Sequence, residues 1–191
     1  MSKVVVLTNL TLDGVMQGPA RPDEDRRGGF EHGGWAAPYA AMEATGNNFA
    51  SAGALLFGRR TYENFYAVWP KQTNSPYTEF LNTIPKYVAS TTLKELLPWS
   101  NSTLLKGDAA QAVSQLKQQP GKDLLIMGSG ELIQSLMRRN LVDEYVLLIH
   151  PLILGSGRRL FTDGGTFAAL RLVGTKTTTT GVVIATYAAT R

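Results

Sequence analysis

Two glycine-marked turns, far apart in the chain, set the tightest limit on what it can fold into. The first is Gly58-Arg59-Arg60-Thr61-Tyr62-Glu63, directly after the apolar run Ala54-Leu55-Leu56-Phe57. The second is Gly128-Ser129-Gly130-Glu131, directly after Leu124-Leu125-Ile126-Met127. Each reads as a buried strand that ends in glycine and opens into a helix. Such a junction leaves unpaired backbone N–H groups at the positive end of a helix dipole, which suits an anionic group such as phosphate. One such turn is weak support. Two in a small domain point to a ligand with phosphates at both, such as a dinucleotide.

The remaining chain supplies an α/β frame. The β-branched run over 4–10 predicts a central strand, followed by a long loop over 11–35 rich in glycine, proline and charge. Loops of more than about 12–15 residues inside a compact domain are usually functional or disordered, and Phe30, His32 and Trp35 among these glycines favour order. A helix is expected over 38–52, a short helix over 60–66 and another over 76–81. Strands are expected over 54–57, 86–89, 103–105, 123–127 and 144–149, the last extended past a bend at 151–154. Asp108 is a suitable N-cap for a helix over 109–118, stopped by Pro120-Gly121. A further helix covers 131–139. Two late strands over 169–180 and 181–190 meet near Gly181 as a hairpin. Strands alternating with helices call for a mostly parallel sheet, and the hairpin makes it mixed. The fold class is therefore α/β, one domain over 1–191, and ligands in such sheets sit at the carboxyl ends of strands.

Composition narrows the function classes. The chain has 191 residues, 43% hydrophobic and 18% charged, enough for a real core and unlike a disordered chain. It has no apolar run of the roughly 18–20 residues that spans a bilayer, and its first residues lack a signal-peptide pattern. With no cysteine there is no disulfide, thiolate metal site or cysteine nucleophile. Cytoplasmic localisation and no membrane partner are the expectations. The two histidines, His32 and His150, have no carboxylate at metal-ligand spacing, so no metal is expected. Net charge is +4, but the bases come as scattered pairs (Arg26-Arg27, Arg59-Arg60, Arg138-Arg139, Arg158-Arg159). That pattern fits anionic small molecules better than nucleic acid.

The ordered set of motifs resembles the dihydrofolate reductase-like superfamily. It is most similar to the reductase domain at the C-terminal end of bifunctional riboflavin-biosynthesis proteins, here free-standing. The resemblance rests on Thr11-Leu12-Asp13-Gly14, the two glycine turns, Ser90-Thr91-Thr92 after a strand, and Leu141-Val142-Asp143-Glu144 leading to Pro151-Leu152-Ile153-Leu154-Gly155-Ser156-Gly157. It implies NADPH as hydride donor. By that resemblance Gly58, Arg59, Arg60 and Thr61 face the diphosphate and the adenosine phosphate, an arginine fork favouring NADPH over NADH. Ser90, Thr91 and Thr92 lie by the adenosine half; by the residues alone they serve equally as the cap of a helix over 94–97. Gly128, Ser129, Gly130, Glu131 and Leu132 bracket the pyrophosphate. Asn9, Val15 and Gly18 run along the nicotinamide. The resemblance also implies a homodimer, with Tyr62, Phe65, Tyr66 and Trp69 either exposed for it or filling the core.

The chemical end of the site is less sharply marked. Asp13 and Glu43 are the candidate catalytic carboxylates; each also has a plain reading, as an aspartate stabilising its own turn and an exposed helix glutamate. Phe30 and Trp35 either stack on a planar heterocycle as part of a lid or latch the loop onto the domain. Arg158, with Arg159, either meets a substrate phosphate or is solvated. Folate-reducing relatives place a threonine where this chain has Leu147, which argues against folate. The expected activity is reduction of a heterocyclic or ribosylamino substrate, by analogy with 5-amino-6-(5-phosphoribosylamino)uracil. A pterin, imine or carbonyl reductase, or a nucleotide-binding protein without turnover, are the alternatives.

Overall fold

A computed structural model describes residues 1–39, 41, 46–73 and 75–190. The β-branched run at the N-terminus forms strand β1 (Val4–Thr11), buried along almost its whole length. Its side chains alternate between two cores, as the period of a strand requires. Val4 and Val6 enter one core with Leu56, Ile126 and Ile133. Val5 and Leu7 enter the other with Leu55, Phe57 and Leu125. Burial on both faces is what a parallel strand covered by helices needs, and each such side chain contributes about 1.5–3 kcal/mol.

Around β1 stand β2 (Ala52–Gly58), β3 (Lys86–Ala89), β4 (Ser102–Leu105), β5 (Asp123–Met127), β6 (Glu144–His150), β7 (Leu170–Thr177) and β8 (Val183–Ala189). They form one sheet in the order β4-β3-β2-β5-β1-β6-β8-β7. The first six strands of that order run parallel. The closing hairpin is antiparallel to β6. The expected mixed, mostly parallel sheet with a C-terminal hairpin is therefore the observed one.

The helices are α1 (Gly46–Ser51), α2 (Arg59–Val68), α3 (Pro76–Thr83), α4 (Ala109–Gln118) and α5 (Gly130–Met137). Asp108 caps α4 by accepting a hydrogen bond from the Gln111 N–H, as its position suggested. Three expectations shift. The helix over 38–52 is described only at its ends, as a 3-10 turn (Ala37–Tyr39) and α1, and Ala52 already belongs to β2. No strand forms over 151–154: Pro151 has no N–H to extend the ladder, and the Leu152 N–H turns back to the His150 carbonyl at 2.8 Å. No helix forms over 94–97.

The aromatic residues after the first glycine turn fill the core. Tyr62 is buried, its hydroxyl accepting from the Trp99 N–H at 3.0 Å. Phe65, Tyr66 and Trp69 pack around it as partly buried members of the same cluster. Beside them Lys86 is fully buried, its Nζ donating to the carbonyls of Ile84 and Ser100 and lying 4.7 Å from the Trp99 ring. Burial pulls its pKa down to about 8.

Candidate functional site

β2 and β5 are parallel neighbours, so their carboxyl ends fall side by side at one edge of the sheet. The two glycine turns, distant in sequence, meet there and are clipped together. The Gly58 N–H donates to Ser129 Oγ at 3.0 Å, and the Ser129 N–H donates to Thr61 Oγ1 at 3.1 Å. Ser129 Oγ in turn donates to the Met127 carbonyl at 3.2 Å. Gly128 and Ser129 both take left-handed backbone angles, with φ of 57° and 55°. Gly58 does not: its backbone is extended, and a Cβ there would meet nothing nearer than Ser129, at 3.8 Å. Nothing in the chain's own packing demands glycine at 58.

A cleft of about 1400 Å³ opens at this edge. Asn9, Gly18, Gly58, Arg59, Arg60, Thr61, Ser90, Thr91 and Thr92 line it, as do Gly128, Ser129, Gly130, Glu131, Leu132 and Arg158. Ser90 Oγ accepts from the N–H groups of Thr92 and Leu93, which folds that segment into a tight turn at the cleft rim. Of the two readings of Ser90-Thr91-Thr92, the helix cap is thereby removed.

Other predicted site residues fall elsewhere. Glu43 lies outside the described residues. Val15 is fully buried and bridges to Arg159, with no share in the cleft lining. Phe30 and Trp35 pack with Val15 into a small satellite core and do not line the cleft. The latch reading of this loop therefore replaces the stacking one. Its cause is visible: the Trp35 Nε1–H donates to the Gln17 carbonyl at 2.7 Å, and a Cβ at Gly157 would already touch the Phe30 ring at 2.8 Å. Leu147 sits in the sheet core, so its identity does not bear on the substrate.

Asp13 is likewise not among the residues that line the cleft. Its carboxylate accepts from Thr11 Oγ1 at 2.6 Å and from the N–H groups of Leu154 and Gly155 at 3.2 and 2.9 Å. The Thr11 hydroxyl, with those backbone donors, holds its pKa down at about 2 against the opposing pull of burial. Arg159 adds a contact at 3.7 Å and donates from Nε to the Asp13 carbonyl. In this arrangement Asp13 ties the turn after β1 to the segment after β6.

Two cleft residues, Gln17 and Asn64, carry no mark in the sequence. Gln17 is only 4% exposed and holds three pieces of loop. Its Nε2 donates to the Arg27 and Asp25 carbonyls, and its Oε1 accepts from the Arg158 N–H at 2.9 Å. Arg27, bound to the Asp25 carboxylate, reaches the cleft beside Arg60 and Arg158. Asn64 on α2 donates to the Glu24 carbonyl at 3.1 Å, so the loop segment that crosses towards α2 lies near Glu24. At the floor, Asn9 Oδ1 lies 2.9 Å from His150 Nε2. His150 is buried between the edges of Trp35 and Tyr39, and burial pushes its pKa down to about 4. A lone glutamine or histidine gives no periodic or motif signal; only the fold reveals these partners.

Fold and cleft together define a dihydrofolate reductase-like α/β domain with its cleft at the carboxyl ends of β1, β2, β3 and β5. The chain matches the RibD C-terminal domain over residues 2–184 and belongs to that family. It is 32% identical over 137 residues to the uncharacterized protein YyaP of Bacillus subtilis (strain 168), covering 70% of this chain and 72% of YyaP. In fold it is similar to a putative riboflavin biosynthesis protein from Shewanella sp. PV-4, with TM-score 0.69, 21% identity and 99% of each chain covered. It is also similar to RibD of Acinetobacter baumannii, with TM-score 0.64 and 15% identity over all of this chain and 58% of that one. The chain is thus a reductase-like domain of the RibD type. Among the described residues, no helix is long and apolar enough to cross a membrane.

Proposed function

We propose that this chain is an NADPH-dependent oxidoreductase that reduces a small heterocyclic or ribosylamino compound, resembling 5-amino-6-(5-phosphoribosylamino)uracil reductase of riboflavin biosynthesis. The observation that carries the reading is the clipped pair of glycine turns. The Gly58 cradle has room that a Cβ would fill, although the chain's own packing leaves that position unconstrained. Close approach of a ligand to the backbone accounts for glycine there. The dinucleotide phosphates lie along the N–H groups opening α2 and α5, with Arg59 and Arg60 beside the adenosine phosphate. Asn9 and Gly18 border the nicotinamide end. The cleft exceeds the roughly 300–1,000 Å³ of a single small-ligand pocket, which leaves space for a substrate beside the cofactor. Bound NADPH supplies the hydride; the chain orients both partners and shields them from water.

The proton for the acceptor has fewer candidates than the sequence offers. Asp13 is engaged in its own turn. Glu24 accepts from the N–H groups of Ala20 and Arg21, and Asp25 is held by Arg27. This reading assigns the proton to Glu43 or to a water in the cleft. Exposed Leu172 and Val173 on β7, an outer strand of the sheet, supply an apolar surface for the proposed homodimer, which light scattering on the purified protein tests.

The experiment is a titration with NADPH and with NADH, read by nucleotide fluorescence and thermal shift, for wild type and an Arg59→Ala, Arg60→Ala double variant. NADPH binding that is lost in the variant and weak for NADH supports the reading. Binding of neither nucleotide removes it. Bound NADPH without turnover over a panel of ribosylamino, pterin and carbonyl compounds would favour a nucleotide-binding protein.

A further inference from the structure

At the cleft mouth one carboxylate oxygen faces three guanidinium groups from separate parts of the chain. Glu131 Oε1, in the first turn of α5, lies 3.0 Å from Arg158 Nη1, 3.5 Å from Arg27 Nη1 and 3.8 Å from Arg60 Nη1. Only the first is a good hydrogen bond; the others are ion-pair contacts of a carboxylate too small to serve three forks. The arginine backbones are placed independently of Glu131, and the Arg27 side chain has a second carboxylate partner. Gln17 fixes the backbone of both Arg27 and Arg158, Asp25 orients the Arg27 side chain, and α2 sets the backbone of Arg60. Glu131, by contrast, has a side chain 71% exposed and is free to swing into solvent.

We propose that Arg27, Arg60 and Arg158 form one subsite for a phosphate group, and that Glu131 is its built-in competitor. A phosphate has several anionic oxygens at tetrahedral angles and satisfies three forks at once, where the carboxylate satisfies one. Binding displaces the Glu131 side chain. The ligand class is a phosphate or diphosphate monoester of a molecule lying in the cleft. The subsite rests on the reading of the cleft as a phosphorylated-nucleotide site, and it gives Glu131 the opposite role from a cofactor contact.

The test measures inorganic pyrophosphate by calorimetry and NADPH by fluorescence, at low salt, on wild type, Glu131→Gln and Arg158→Gln. Removing one exposed competing charge is expected to tighten pyrophosphate about twofold to fivefold, with Arg158→Gln weakening it by a similar factor. Tightening is informative because a merely damaged fold would weaken binding. Pyrophosphate that binds wild type and Glu131→Gln equally, or binds neither, overturns the subsite even if NADPH binds normally. Pyrophosphate that binds tighter to Glu131→Gln while NADPH binds no form upholds the subsite and removes the cofactor reading instead.

Discussion

The two walls of the cleft are built in different ways. One wall is the pair of strand ends at Gly58 and Gly128, where Arg59 and Arg60 open α2 along the cleft and Ser129 clips the turns together. The other is the loop after β1 together with the segment after β6. It is held by side chains: Val15, Phe30 and Trp35 as a small core, the buried Gln17 and the half-buried Asp13 as hydrogen-bonding posts. A wall that works through its backbone leaves glycine at fixed places. A wall that works through packing can be made from many residue combinations, and its sequence says little about which way a side chain points.

The largest effect should come from filling the packed wall. Gly157 has φ of 116°, and a Cβ there would sit 2.8 Å from both the Phe30 ring and Val15 Cγ1. Gly157→Ala combines backbone strain with overpacking, at a cost of about 4 kcal/mol. Urea unfolding of the variant measures it, and a loss under about 1 kcal/mol would mean that this wall yields as easily as a surface loop.

Next comes the histidine behind the same wall. Burial holds His150 near pKa 4, against an ordinary value of 6.5. Between these values the unfolded chain takes up a proton that the folded chain refuses. Its contribution to stability is therefore intact above about pH 6.5, declines as pH falls towards 4 and is level below that, by at most about 3 kcal/mol. Asp13, held at about 2, adds its own loss only below its ordinary value of 3.8. Unfolding free energies at pH 7 and pH 4.5 for wild type and His150→Asn check the assignment. The variant should lose much of the slope, and equal slopes would place the titration elsewhere.

The same contrast explains what was legible in the sequence. β5 and α4 stand where the apolar runs and the Asp108 cap put them, because local pattern and tertiary need agree. The meeting of the two glycine turns was legible for the same reason: a glycine after a buried strand is a local mark. Phe30 and Trp35 were not, since an aromatic residue among glycines is equally suited to stacking on a ligand or on its own domain. The Trp35 N–H bond to the Gln17 carbonyl and the packing of Phe30 over Gly157 decide between them. Val15 was misplaced for a simpler reason. It is next to the cleft along the chain, but its side chain belongs to the satellite core. Arg27 was visible only as one of four arginine pairs until folding set it beside Arg60 and Arg158.

Within the backbone wall the glycines are themselves unequal. Gly128 has φ of 57°, and a Cβ there would stand 3.3 Å from the Thr61 methyl. Gly128→Ala should cost about 1–2 kcal/mol, mostly backbone strain. A Cβ at Gly130 would meet Met16 Sδ at 2.6 Å, but that is the flexible end of a long side chain. Gly130→Ala is therefore expected to cost less than Gly128→Ala in the same thermal unfolding series, and the reverse order would show that Met16 is fixed in place.

The smallest effect on stability, and the sharpest test of the comparison, belongs to Gly58. Its extended backbone suits any residue, and a Cβ there has open space out to Ser129 at 3.8 Å. Gly58→Ala should leave stability within about 0.5 kcal/mol of wild type, or raise it slightly by narrowing the unfolded ensemble. The added methyl nonetheless stands where the proposed diphosphate approaches the backbone. NADPH binding should weaken by about tenfold or more, equivalent to about 1.4 kcal/mol. Stability retained with binding lost would mark Gly58 as a glycine kept for a ligand, unlike Gly157, which is kept for the fold. If the variant binds NADPH as wild type does, the two walls no longer differ in kind, and the diphosphate does not lie against the turn after β2.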